Sequence, residues 1–118
     1  MSSISKQREA LLAFAQNEKF VEENLYPGAP DEEIRIRLQG HVNDLAARLT
    51  SRLAEPIDKA AVLDEFKVTL AHFEEEDSEE RERVCGYLEE IMDIFEIESS
   101  DGLLNTWLYG FDPNVIQN

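Results

Sequence analysis

Cysteine is almost absent: Cys85 stands alone in 118 residues, which excludes an intramolecular disulfide framework and a cysteine zinc site. Glycine and proline are sparse, five and four, so the chain suits a few long elements. Positive charge is also scarce. Eleven Lys and Arg face 26 Asp and Glu, for a formal charge of -15. Binding nucleic-acid phosphates needs cationic side chains to displace counterions, and anionic membranes make the same demand, so neither partner is expected. No run approaches the roughly 18 apolar residues of a membrane span. The N-terminus has no continuous apolar core and no small-residue cleavage site, so no signal peptide is expected and a reducing cytoplasm fits. Also missing are a Gly-x-Ser-x-Gly elbow, a phosphate loop and a dinucleotide fingerprint. The two histidines, His41 and His72, follow Leu38 and Thr69 at three residues' distance, not the glutamates of a di-metal carboxylate bundle. No cofactor and no catalysis are expected.

What remains is enough to fold. Hydrophobic residues make up 42%, ordinary for a globular chain and too many for a disordered acidic tail. This length suits one domain and buries about two-thirds of the unfolded surface. Acidity of this size keeps a protein soluble by itself, and it also suits a basic protein partner.

The informative stretch is Asp77 to Glu98 with the segment after it. Val84, Leu88, Ile91 and Phe95 step by four, three and four, one line on a helix. Cys85 and Met92 widen the line on one side, Tyr87 and Ile94 on the other. At about 100° per residue, Glu82, Glu89, Glu90, Asp93 and Glu96 fall opposite, giving an anionic face. Asp77 or Ser78 caps the start, and Glu79, Glu80 and Glu82 complement the helix dipole. Ser99 to Gly102 ends this helix. Asp101 or Ser100 caps the next, where Leu104, Trp107, Leu108 and Phe111 share a side. Aromatic density of this kind either plugs the core or forms a partner surface.

Upstream, a helix capped by Ser5 is expected to run to Val21 or Asn24, with Ile4, Leu11, Leu12, Phe14, Ala15 and Lys19 or Phe20 inside. Tyr26-Pro27-Gly28-Ala29-Pro30 breaks it, with Pro27-Gly28 suited to a type II turn and Pro30 to the first turn of the next helix. That helix, from about Asp31 to Leu53, buries Ile34, Leu38, Val42, Leu45, Ala46, Leu49 and Leu53. Gly40 inside it suggests a close helix crossing. Another helix runs from Ile57 or Asp58 to Glu75 on Val62, Leu63, Phe66, Leu70 and Phe73. The expected fold is therefore all-α: a single-domain antiparallel bundle of four long helices plus a short C-terminal one.

Two chemistries are weighed against simple binding. Glu-x-x-Glu and Glu-x-x-Asp pairs (Glu76 with Glu79, Glu79 with Glu82, Glu90 with Asp93) suit the Mg²⁺ of an all-α nucleotide pyrophosphohydrolase. However, pairs on one continuous helix cannot enclose a metal between facing helices. Cys85 with His41 or His72 is the one thiol–imidazole option, and all three lie on or beside core faces.

The segment Glu98-Ser99-Ser100-Asp101-Gly102-Leu103-Leu104-Asn105-Thr106-Trp107-Leu108-Tyr109-Gly110-Phe111, with Tyr87-Leu88-Glu89-Glu90-Ile91-Met92 before it, resembles a family of small acidic bacterial proteins of unknown function. The resemblance covers about the last third of the chain. It implies a compact helical domain and assigns no functional residues. The reading that follows is a cytoplasmic protein-binding module, of the acidic inhibitor or immunity type, that meets a basic protein partner. Glu74 to Asp77, Glu82, Glu89, Glu90, Asp93 and Glu96 would steer the encounter. The alternative is a homodimer joined through Trp107, Tyr109 and Phe111, so the chain is a monomer or a homodimer.

Overall fold

Short polar side chains start the first three helices. Ser3 accepts the Lys6 N–H at 3.2 Å and opens α1 (Ile4–Gln16). Asp31 accepts from Ile34 at 2.8 Å ahead of α2 (Glu32–Ser51), and Asp58 from Ala61 at 2.8 Å ahead of α3 (Lys59–Leu70). Such caps stabilise a helix by about 1 kcal/mol each. A single 3₁₀ turn, Ala71–Phe73, follows α3. Asp77 takes the cap position of α4 (Ser78–Ile94) but, against expectation, its side chain makes no capping bond; the first turn carries Glu79 and Glu80. The last helix, α5 (Leu103–Tyr109), has a left-handed Gly102 at its cap position and not Asp101 or Ser100, although the Ser100 hydroxyl accepts the Leu104 N–H at 3.3 Å. This computed structural model describes residues 3–110, and among them the fold is all-helical.

Packing follows the apolar stripes. α1 lies against α2 and α4, α2 also against α3, and α4 also against α5 and the 3₁₀ turn. The core joins Leu38, Val42, Leu45 and Leu49 of α2 to Val62, Phe66 and Leu70 of α3 and to Val84, Leu88 and Ile91 of α4. Leu104 enters it from α5, and Leu103, Trp107 and Leu108 pack on it half-buried. Within the described residues α5 therefore packs on the core, one of the two roles its aromatic density allowed.

The first helix is shorter than its periodicity suggests, and is capped by Ser3 rather than Ser5. It stops at Gln16 because the buried Lys19 ammonium folds back onto the Phe14 and Asn17 carbonyls. A cation on the last-turn carbonyls satisfies them and complements the dipole. Phe20 then takes a left-handed φ of 62° and enters the core from a loop. That conformation costs roughly 1–2 kcal/mol in a residue with a side chain. Full burial of Phe returns roughly 1.5–3 kcal/mol. Phe20 stacks on Phe73 at 5.8 Å, meets Tyr87 edge-on at 5.1 Å, and donates its N–H to the Tyr87 hydroxyl at 2.8 Å. Leu12, expected inside, is exposed.

Other boundaries shift for local reasons. Pro30 precedes the Asp31 cap and so lies outside the helix. Gly28 has φ +88°, a left-handed conformation that suits glycine, but the Ala29 N–H goes to the Phe20 carbonyl at 2.9 Å and not to Tyr26, so the expected hydrogen-bonded turn over Pro27-Gly28 is not formed. A Cβ at Gly40 would meet nothing within 4 Å, so no helix crosses closely there. α4 ends at Ile94, not Glu98, because Glu96 turns left-handed (φ 57°). Ile97 N–H then reaches the Met92 carbonyl at 2.8 Å and Glu96 N–H reaches Asp93 at 3.1 Å, the paired bonds of a Schellman stop.

Candidate functional site

The exposed side of α4 is a row of carboxylates. Glu82, Glu89, Glu90 and Asp93 are all exposed on it, as their spacing requires. Glu96, expected on the same face, is also exposed but lies beyond the helix, at its left-handed stop. Glu90 leans toward the α1 side, where burial lifts its carboxyl above the usual range and Lys19 and Arg83 partly offset the lift. Glu80, from the same run of acids, points inward and is only 4% exposed.

The distribution of cations explains why this face stays negative. Every Lys and Arg but Lys6 is engaged inside the molecule, among the described residues. Arg48 and Arg52 both hold Glu65, at 2.8 and 2.9 Å. Arg37 pairs with Glu76 at 3.2 Å, Arg35 with Glu32, Lys67 with Asp64, and Lys59 with Asp101 at 2.9 Å. Arg8 donates to the Leu53 carbonyl at 2.8 Å. Arg81 donates to the Trp107 carbonyl at 3.0 Å and covers its ring at 4.7 Å. Arg83 pairs with Glu23 and lies over the Tyr26 ring at 5.0 Å. Glu82, Glu89 and Asp93 have no ion pair among the described residues.

Two of the hollows beside this row have Glu82 on their border. The larger, about 710 Å³, lies between α4 and α5. Its floor is apolar: Cys85, Met92 and Leu104 are buried and Leu108 is half-buried. Tyr109 stands at the edge, 55% exposed. Its rim is anionic, with Glu82 and Glu89 from α4 and Glu98 and Asp101 from the α4–α5 connection. The smaller hollow, about 530 Å³, lies under the turn Glu23–Tyr26, whose tip, Leu25, is fully exposed. Glu23 and Tyr26 exchange both backbone bonds, at 3.0 and 2.8 Å. The Tyr26 hydroxyl donates to Glu80 at 2.8 Å and ties the turn to α4.

The other sequence candidates separate. Trp107 is half-buried beneath Arg81, whereas Tyr109 is open. Phe111 lies outside the described residues. Cys85 is buried, and burial pushes its thiol up to about 11, away from nucleophilic use. It does not meet the histidines. His41 and His72 instead stack on each other at 4.1 Å between α2 and the 3₁₀ turn. Glu79, Glu82, Glu90 and Asp93 share one helix, and Glu76 lies before it, paired with Arg37. Among the described residues no group of three or more His, Cys, Asp or Glu side chains is arranged to hold a metal ion. None of their helices is long and apolar enough to cross a membrane. Periodicity located the acids but not the cleft beside them. The partners of Tyr26 and Arg83 lie 54 and 60 residues away and leave no local signal.

The comparisons with known proteins agree with this architecture. The family model described as "Domain of unknown function (DUF4844)" matches residues 2–112, well beyond the last third that carries the resemblance. The crystal structure of a DUF3571 family protein from Acinetobacter baumannii AYE is similar to the chain. It has 29% sequence identity and a TM-score of 0.84, over 93% of this chain and 94% of that one. No curated protein matches the chain.

Proposed function

The chain belongs to the DUF4844 family, a domain of unknown function, and from the geometry above we propose that it is a non-enzymatic binding module for a basic protein partner. The acids of α4 form the contact face. The carrying observation is that Glu82, Glu89 and Asp93 are exposed and unpaired among the described residues, while nearly every cation of the chain is committed elsewhere. A face left negative in this way steers a cationic partner and raises the association rate. Glu90 and Glu96 extend it at either side. An acidic inhibitor that neutralises a basic protein is the most concrete form of this activity, acting in the cytoplasm.

A lysine-rich peptide tests the reading. Binding should weaken steeply between 50 and 200 mM salt, since the charges are exposed and screened on a scale of about 10 Å. Glu89→Lys with Asp93→Lys should reduce affinity about tenfold or more, while Glu9→Lys with Glu55→Lys, on other surfaces, should not. Salt-independent binding, or equal losses from both pairs, refutes it. The homodimer reading has one favourable observation, the exposed Tyr109. Trp107, covered by Arg81, is not open for it. An equilibrium sedimentation run at micromolar concentration separates the two.

A further inference from the structure

The α4–α5 cleft joins two properties that the acid row alone lacks, an apolar floor and an anionic rim contributed by two elements. We infer that this cleft takes the apolar side chains of a basic amphipathic helix belonging to the partner, an inference that rests on the binding reading above and specifies its ligand.

The floor supplies the apolar half. Met92, Leu104 and Leu108 line it beside Cys85. A methionine there is unbranched and polarizable, and it adjusts to the shapes of incoming side chains. The cleft, about 710 Å³, falls in the size range of ligand sites, and its open apolar surface is offered chiefly by Leu108 and Tyr109 above the buried Cys85, Met92 and Leu104. The cleft runs beside a seven-residue helix, about 10 Å long, so it matches roughly two turns of a docking helix. Apolar residues at i, i+3 or i+4 on that helix fit this span. Among the described residues there is no β-sheet edge to extend, only the isolated bridge Glu23–Tyr26, so strand addition has no template.

The rim supplies the charge. Glu82 and Glu89 on one side and Glu98 on the other have no ion pair among the described residues, while Asp101 is held by Lys59. Lysines or arginines flanking the apolar stripe of the incoming helix meet carboxylates on both sides. A second copy of this chain is a poor occupant, because at -15 its surface is repelled by the same rim. An acidic or neutral amphipathic helix lacks the complementary charge.

Three synthetic 18-residue helical peptides test this on the full chain by fluorescence titration and amide chemical-shift mapping: Lys/Leu amphipathic, Lys/Ser, and Glu/Leu amphipathic. The expected result is binding of Lys/Leu at least tenfold tighter than Lys/Ser, with no binding of Glu/Leu. Shifts should centre on Met92, Leu104, Leu108 and Tyr109. Tyr109→Ser, at an exposed site that leaves the fold intact, and Leu108→Ala should each weaken Lys/Leu severalfold and leave Lys/Ser unchanged. Equal binding of Lys/Leu and Lys/Ser, with shifts confined to the acid row, overturns the cleft assignment while leaving the charge reading standing. Shifts centred on Leu25 and Arg83 do the same. Failure of both lysine peptides overturns the charge reading itself. Peptide-independent association in sedimentation, lost in Tyr109→Ser, would assign the cleft to a second copy and also overturn the inference.

Discussion

Replacing Tyr26 by Phe should destabilise the protein by about 2 kcal/mol while removing a single oxygen. The hydroxyl donates at 2.8 Å to a Glu80 carboxylate that is 4% exposed. Hydrogen bonds to charged groups contribute about 1.5–3 kcal/mol, and a buried acceptor left without its donor keeps its full desolvation penalty. For a domain of this size about 4 °C of Tm accompanies each kcal/mol, so Tm should fall by roughly 8 °C. Urea unfolding at pH 7 should show a lower midpoint with an unchanged slope, since the exposed surface is the same. Glu80→Gln keeps an acceptor oxygen but adds an amide with two donors to bury. In a double-mutant cycle the Tyr26 and Glu80 changes should couple by about 1 kcal/mol or more. The pH dependence has a definite sign. Burial, reinforced by Glu80, raises the Tyr26 phenol above its ordinary range. A raised folded value means the contribution is complete below the unfolded value of about 10 and is lost as pH rises through the folded one. A Tyr26→Phe loss under about 0.5 kcal/mol, or an uncoupled cycle, would refute the view that this bond holds the 17–31 loop on α4.

Two glycines should respond with opposite signs. A Cβ at Gly28 would lie 3.0 Å from the Glu22 nitrogen at φ +88°, so Gly28→Ala should lose about 1–3 kcal/mol in the same urea assay. Gly40→Ala, where nothing lies within 4 Å, should gain up to about 1 kcal/mol from helix propensity. His41 should titrate below its ordinary value in an NMR pH series, chiefly through burial and then through the facing His72, with Arg37 opposing and Asp44 and Glu76 favouring its charge. The depressed folded value means stability is present above about pH 6.5 and falls as pH drops through the folded value. His72→Ala should return part of the shift and leave the part due to burial.

How far the sequence was legible depended on the range of the interaction. The heptad-like lines of α2 and α4 placed Leu38, Val42, Leu45, Leu49, Val84, Leu88 and Ile91 in the core, because burial follows the 3.6-residue period. The same period put Glu82, Glu89, Glu90 and Asp93 outside. At Lys19 and Phe20 it gave the right side, since both are buried, but the wrong helix end, because the apolar spacing continues past Gln16. There a tertiary contact, the Phe20–Phe73–Tyr87 cluster, outweighs local helix preference. It failed also at Glu96, where an αL stop is formed by a residue other than glycine, so no composition signal marks it.

By itself, then, the sequence determined the helical class, the faces of the long helices and the surplus of negative charge, since each depends on neighbours within a turn or on simple counting. Only the tertiary structure decided where the charge stays uncompensated. Arg37, Arg48, Arg52 and Lys59 find their acids across 39, 17, 13 and 42 positions, and these pairings leave the α4 row unpaired. Only the tertiary structure brought the 98–101 connection and α5 beside that row to make a cleft. Pairings and clefts arise from the packing of distant segments, and local periodicity carries no record of which segments will meet.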